Sequence, residues 1–177
     1  NLLINKIKTL PTQTQKALHF ASLLNNTFEL DFLSKIMNQD LITLELNLWH
    51  AITKKLIVEI PNNNKTSTYK FLHDKIQSAC LEQNEFKNAE SNATIGRCLL
   101  KEFEKDKNNE KLALVIHHLN EGITYLSNKE ILQLIELNEN YGSYLLKYRA
   151  DSSAEKYYSK SIEIYQTYSI NKPTKLE

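Results

Sequence analysis

A mainly α chain is predicted, built as a small helical module closed by one β-hairpin and followed by antiparallel helix pairs. Three observations lead there. Apolar residues recur at three-and-four spacing over most of the 177 positions, Gly and Pro number only three each, and one stretch, Ile57-Val58-Glu59-Ile60, turns β-branched. The predicted division is 1–84 for the first part, with the hairpin at about 56–72, and 85–177 for the second.

Asn1 to Ile4 are too few to assign. Leu10-Pro11-Thr12-Gln13-Thr14-Gln15 reads as a helix start, because proline suits a first turn and Thr12 with Gln15 has capping-box spacing. Ala17, Leu18, Phe20, Ala21 and Leu24 follow as an apolar stripe that should stop at Asn25-Asn26. Asp31 is placed to cap a short second helix bearing Phe32, Leu33, Ile36 and Met37. Asn38-Gln39-Asp40 ends that helix and opens a third, with Leu41, Leu44, Leu48, Ala51 and Ile52 on one face. Next come the strand at Ile57, an Asn-rich turn from Pro61 to Lys65, and an alternating strand from Thr68 to Leu72. Three helices and then a hairpin is the order of a winged-helix module.

From His73 onward the pattern is helical. Ile76, Ala79 and Cys80 share a face, and Ile95, Leu99, Leu100 and Phe103 continue it in a helix from Phe86 to Phe103. After a charged turn at Asp106 to Glu110, Leu112, Val115, Ile116 and Leu119 form a stripe that Gly122 should cap. Ser127-Asn128-Lys129-Glu130 has capping-box form and opens a helix through Leu134, Leu137, Tyr141, Leu145 and Tyr148. Asp151 is expected to cap the last helix, carrying Ala154, Tyr158, Ile162 and Tyr165, before a frayed tail from Lys172. Gly142, Ala154 and Tyr158 keep the spacing of the small and aromatic residues of a tetratricopeptide (TPR) unit; Asn138, at the Trp position, does not, and a second copy placed on Gly96 fits poorly.

Composition narrows function. With 22 basic and 21 acidic residues the net charge is +1, so no general field favours nucleic acid or an anionic membrane. Apolar runs stay far below the ~20 residues of a membrane span. Cys80 and Cys98 lie in helical patterns without a Cys-x-x-Cys partner, which predicts ordinary buried thiols in a reducing compartment. The chain starts at Asn1 without a charged-then-apolar leader and reads as a piece of something longer.

Five ordered blocks carry a resemblance. They are Leu10-Pro11 with Gln15, Phe71 through Ala79, Ile95-Gly96-Arg97-Cys98-Leu99-Leu100, His118-Leu119-Asn120-Glu121-Gly122, and Leu137 through Tyr165. Together they closely resemble the segment that follows the P-loop ATPase module in large bacterial-type signalling proteins. Those join a serine/threonine kinase-like domain, a STAND-class ATPase, a helical repeat region, and a GAF and histidine-kinase end. The resemblance implies a cytoplasmic regulator whose ATP or ADP and Mg sit on an upstream ATPase module, which would be the partner of this segment along with other protein domains. No nucleic acid or membrane partner is expected. The family's catalytic motifs are missing here: there is no Gly-x-x-x-x-Gly-Lys loop, His-Arg-Asp, Asp-Phe-Gly or phospho-accepting histidine motif, so the segment is expected to be non-catalytic.

His73-Asp74 stands where that wider ATPase class carries a Met-His-Asp motif, with Leu72 in place of Met. The resemblance implies that His73 pairs with the ADP β-phosphate on the neighbouring domain and that Asp74 orients it. From the residues alone, Asp74 equally serves as a helix cap with His73 a half-buried spacer. Four other features read as structural. His117 and His118 point about 100° apart on a helix and have no ligand at i+4. Arg97 suits an ion pair beside Gly96, Trp49-His50 suit core and rim, and the tyrosines from Tyr141 to Tyr168 suit inter-repeat packing better than a binding groove. The alternative function is a DNA-binding winged helix with a helical sensor region, but its reading helix would offer only Lys54 and Lys55 near its end.

Overall fold

The computed structural model describes residues 2–61, 67–82 and 86–168, which fold as two compact units, Asn1–Ser91 and Asn92–Glu177. The chain is mainly helical with one small antiparallel sheet.

In the first unit, α1 (Leu2–Lys8) and α2 (Thr12–Leu24) precede a short strand β1 (Thr27–Glu29). Then come α3 (Leu30–Met37), α4 (Leu41–Thr53), β2 (Ile57–Ile60), β3 (Thr68–Phe71) and α5 (Asp74–Leu81). The expected hairpin pairs as β2 with β3, in the register Ile57↔Phe71 to Ile60↔Thr68, while the Asn-rich turn lies largely outside the described residues. The sheet gains a third member, since β1 pairs with the other edge of β3 through Phe28↔Tyr69. Strand alternation explains its burial: Phe28, Ile57, Tyr69 and Phe71 turn inward and are nearly inaccessible, whereas Val58 and Lys70 face out. Helices supply the rest of this core through Ile7, Leu18, Leu33, Leu44 and Leu48.

Three cap expectations are corrected. Pro11, not Thr12, precedes α2, and the Gln15 amide instead donates to the Leu10 carbonyl at 2.8 Å. Asp31 lies inside the first turn of α3, where it pairs with Lys35 at 2.7 Å. Asp151 is the first residue of the last helix, not the residue before it. The connection from α3 to α4 follows the sequence closely. Asn38 adopts the left-handed conformation (φ 50°) that ends α3, and the Asp40 carboxylate accepts from the Thr43 amide at 2.9 Å. Asp40→Ala is expected to lower the urea midpoint, because the Thr43 amide loses its cap.

The second unit holds most of α6 (Asn88–Asp106), then α7 (Asn109–Glu121), a single 3₁₀ turn (Ile123–Tyr125), α8 (Asn128–Lys147) and α9 (Asp151–Tyr168). Ser127 and Glu130 make the expected capping box at α8. Gly96 abuts Leu119 and Gly122 abuts Ala93, which fixes α6 and α7 as antiparallel neighbours. Gly142 faces the Tyr158 ring and Glu139 accepts from Ser161 Oγ at 3.2 Å, so α8 and α9 are antiparallel too. Gly122 ends α7 with φ −97°, not in the left-handed region, so closeness of Ala93 is its physical requirement. Ile162 and Tyr165, expected in the α9 stripe, are exposed; Ala154, Ser161 and Ile164 are the buried residues of that helix.

Candidate functional site

His73 occupies the residue before α5, in extended backbone (φ −149°, ψ 145°), and its carbonyl accepts from the Ile76 amide at 2.9 Å. The imidazole makes no capping bond and is exposed. Asp74 does not cap either: it is the first helical residue, where a carboxylate complements the positive end of the helix dipole. Its Oδ1 accepts from Asn26 Nδ2 at 3.1 Å, while the Asn26 carbonyl accepts from the Phe71 amide at 3.0 Å. Asp74 therefore tethers the turn between α2 and β1 to the start of α5. Among the described residues, no hydrogen bond joins Asp74 to His73, so the expected orienting role has no bond behind it, and the half-buried spacer reading fails on exposure. What remains is an exposed imidazole, whose N–H can donate to an incoming acceptor.

A second feature of the first unit lies on α4. Leu44, Leu48 and Ala51 are buried, which turns Ile42, Leu46 and Trp49 outward at i, i+4, i+7 spacing; their exposures are 72%, 66% and 61%. The expectation that Trp49 belongs to the core is thus wrong, and His50 beside it is exposed as well. The spacing of the row was visible in the sequence, but a helix with two apolar faces does not announce which one is inside. Three large apolar side chains thus lie exposed along one side of α4.

The remaining candidates are structural. His118 is buried with Nδ1 2.7 Å from Asn92 Oδ1, and burial first, then the neighbouring His117, holds its pKa down at about 4. His19, also buried, bonds Ser91 Oγ at 2.9 Å and stacks on Phe86; burial lowers its pKa too. Arg97 makes the expected ion pair, a fork onto Glu130 at 2.5 and 3.1 Å that also reaches the Tyr125 carbonyl, and this holds the Glu130 carboxyl down at about 2. Cys80 and Cys98 are free thiols, and burial pushes Cys80 up to about 12. Tyr141 packs edge-on against Tyr157 and stacks with Tyr144, whereas Tyr148 is largely exposed.

Among the described residues there is no cluster of three or more metal-ligating side chains, and no helix is long and apolar enough to cross a membrane. Comparison with protein-family models, with curated proteins and with solved structures finds no match to this chain.

Proposed function

We propose that the chain is a non-catalytic regulatory and protein-interaction segment of a cytoplasmic, ATP-dependent multidomain signalling kinase. Its first unit is a winged-helix-like module that docks on a STAND-class ATPase module holding ATP or ADP with Mg. Its second unit is a TPR-like platform that passes the nucleotide state to other protein domains. The observation that carries this reading is the outward row Ile42, Leu46 and Trp49 on α4. It is apolar where a DNA-reading helix needs donors for phosphates and base edges. Of the two lysines near the end of α4, Lys54 already donates to Thr9 Oγ1 at 2.8 Å, which further weakens the DNA alternative.

Three other observations support it. The order α2, β1, α3, α4, β2, β3 suits a winged-helix-like module, with the sheet arranged β1-β3-β2. The close fit of Gly142 to Tyr158 suits a TPR-like pair. His73 stands exposed at the start of α5, where its imidazole can donate to the β-phosphate of a nucleotide held on the neighbouring module.

The test is ADP retention by the protein in which this segment is joined to its ATPase module. Loss of one charge-assisted hydrogen bond predicts about ten- to hundredfold faster ADP release in His73→Leu. Trp49 is the sole tryptophan of this segment, so the difference in emission between the joined protein and its Trp49→Phe variant reports whether α4 is covered. Unchanged ADP occupancy together with solvent-exposed Trp49 emission overturns the reading.

A further inference from the structure

In the second unit, matching intervals set two rows on one side of the α8–α9 pair. On α8, Glu136, Glu139, Ser143 and Leu146 stand at i, i+3, i+7 and i+10; on α9, Glu155, Tyr158, Ile162 and Tyr165 repeat those intervals. Two contacts join the rows across the helix pair. Ser143 Oγ lies 2.7 Å from the Tyr158 hydroxyl, and Glu139 Oε1 accepts from Ser161 Oγ at 3.2 Å. Helix α7 takes the other side: its Asn120 reaches Asn138 of α8, and its His117 and Glu121 border the same space as Lys156, Tyr157 and Lys160 of α9.

The rows are open to a ligand. Leu146, Ile162 and Tyr165 are 46%, 56% and 41% exposed, with Tyr158 half-buried between them. The charged members, Glu136, Glu139 and Glu155, are all carboxylates, and Asp151, one turn before Glu155, adds a fourth. Lys156 and Lys160 belong to the α7 side, and Lys147 points about 100° away from Leu146. An apolar strip edged by carboxylates selects its occupant by charge. A second copy seated face to face would set these carboxylates against one another, and an anionic bilayer would meet the same repulsion. A helix with an apolar stripe and cationic edges satisfies both the strip and its rim, and the rows extend about 15 Å, close to three helical turns.

We infer that this side of the α8–α9 pair takes an amphipathic helix of a partner protein, with lysine or arginine bordering its apolar stripe. The stripe seats on Leu146, Ile162 and Tyr165, and the cations reach Glu139 and Glu155. The inference rests on the platform role proposed for the second unit and gives it a partner class. Its test needs neither nucleotide nor ATPase module, so its failure and that of the His73 experiment are separable.

The full chain, ¹⁵N-labelled, is titrated with a helical alanine-based peptide carrying leucine at i, i+4, i+7 and i+11 and a lysine before each leucine. Two further peptides have glutamate in place of lysine, or the lysine peptide's residues in scrambled order. The lysine peptide is expected to shift the signals of Leu146, Ile162 and Tyr165 and to bind about tenfold more tightly than either of the others. Ile162→Glu and Glu155→Lys, both at exposed positions, should each weaken it by about tenfold. Equal binding of the three peptides, unchanged binding to both variants, or shifts confined to the Lys156 side of α9 overturns the inference. Concentration-dependent shifts of the same signals in the peptide-free chain would give the face to a second copy and overturn it as well. The three peptides are compared on the unaltered chain, so the outcome does not depend on a variant folding.

Discussion

Gly122→Ala is expected to destabilise the second unit by about 3 kcal/mol, read as a lowered urea midpoint by far-ultraviolet circular dichroism. A Cβ built on Gly122 meets the Ala93 Cα at 2.6 Å and comes still nearer to the Ala93 amide nitrogen. Those are backbone atoms of α6 and cannot swing aside, so the end of α7 must be pushed away from it. The buried residues of α7, Val115, Ile116 and Leu119, then lose part of their packing. Gly142→Ala is the control. There the added methyl meets only the Tyr158 ring at 3.0–3.2 Å, and the site lies inside α8, where alanine gains about 1 kcal/mol of helix propensity over glycine. The expected change is within about 1 kcal/mol of zero. Equal losses at the two glycines would show that backbone proximity is not what distinguishes them.

Acidification is expected to weaken the second unit through His118. Its pKa is about 4 when folded against 6.5 for the free side chain, so between those values the unfolded chain binds the extra proton and the folded one does not. The stabilisation is fully present above pH 6.5 and falls as the pH drops through the window. By pH 5 about 2 kcal/mol is gone, and by pH 4 about 3 kcal/mol. In the first unit His19 shifts in the same direction and adds to the slope. Glu130, held low by Arg97, loses its contribution only below its ordinary range, as pH falls toward 2. Urea midpoints from pH 7.5 to 4 on the unaltered chain and on His118→Gln separate these effects. The variant should lose the His118 part of the pH slope while keeping a side-chain donor for Asn92. An identical slope in both proteins would remove His118 from the account.

How much of this was legible in the sequence depends on the range of the interaction. The faces of α2 and α7 and the Ser127 capping box follow from residues at most four apart, and the structure has them where the pattern put them; on α4 Leu44, Leu48 and Ala51 are buried as expected, but Leu41, expected on the same face, is exposed. Strand β1 was missed because three residues with a single inward Phe28 carry no period of their own; only pairing with Tyr69, some forty residues on, makes Thr27–Glu29 a strand. Trp49, Ile162 and Tyr165 were misplaced because bulk and apolarity suggest burial, while the angle around the helix decides it. The exposed His73-Asp74 corner was visible as a motif, but the Asn26 tether was not.

The sheet order has a consequence for how the molecule is made. Its middle strand, β3, is the last of the three to be synthesised, so β1 and β2 each wait for residues 68–71 before either has a neighbour. Translation must run past Phe71, plus the length held in the ribosomal tunnel, before this half can close. Until then Phe28 and Ile57 stay in reach of chaperones, and a nascent chain arrested upstream of Thr68 should remain protease-sensitive however long it is held.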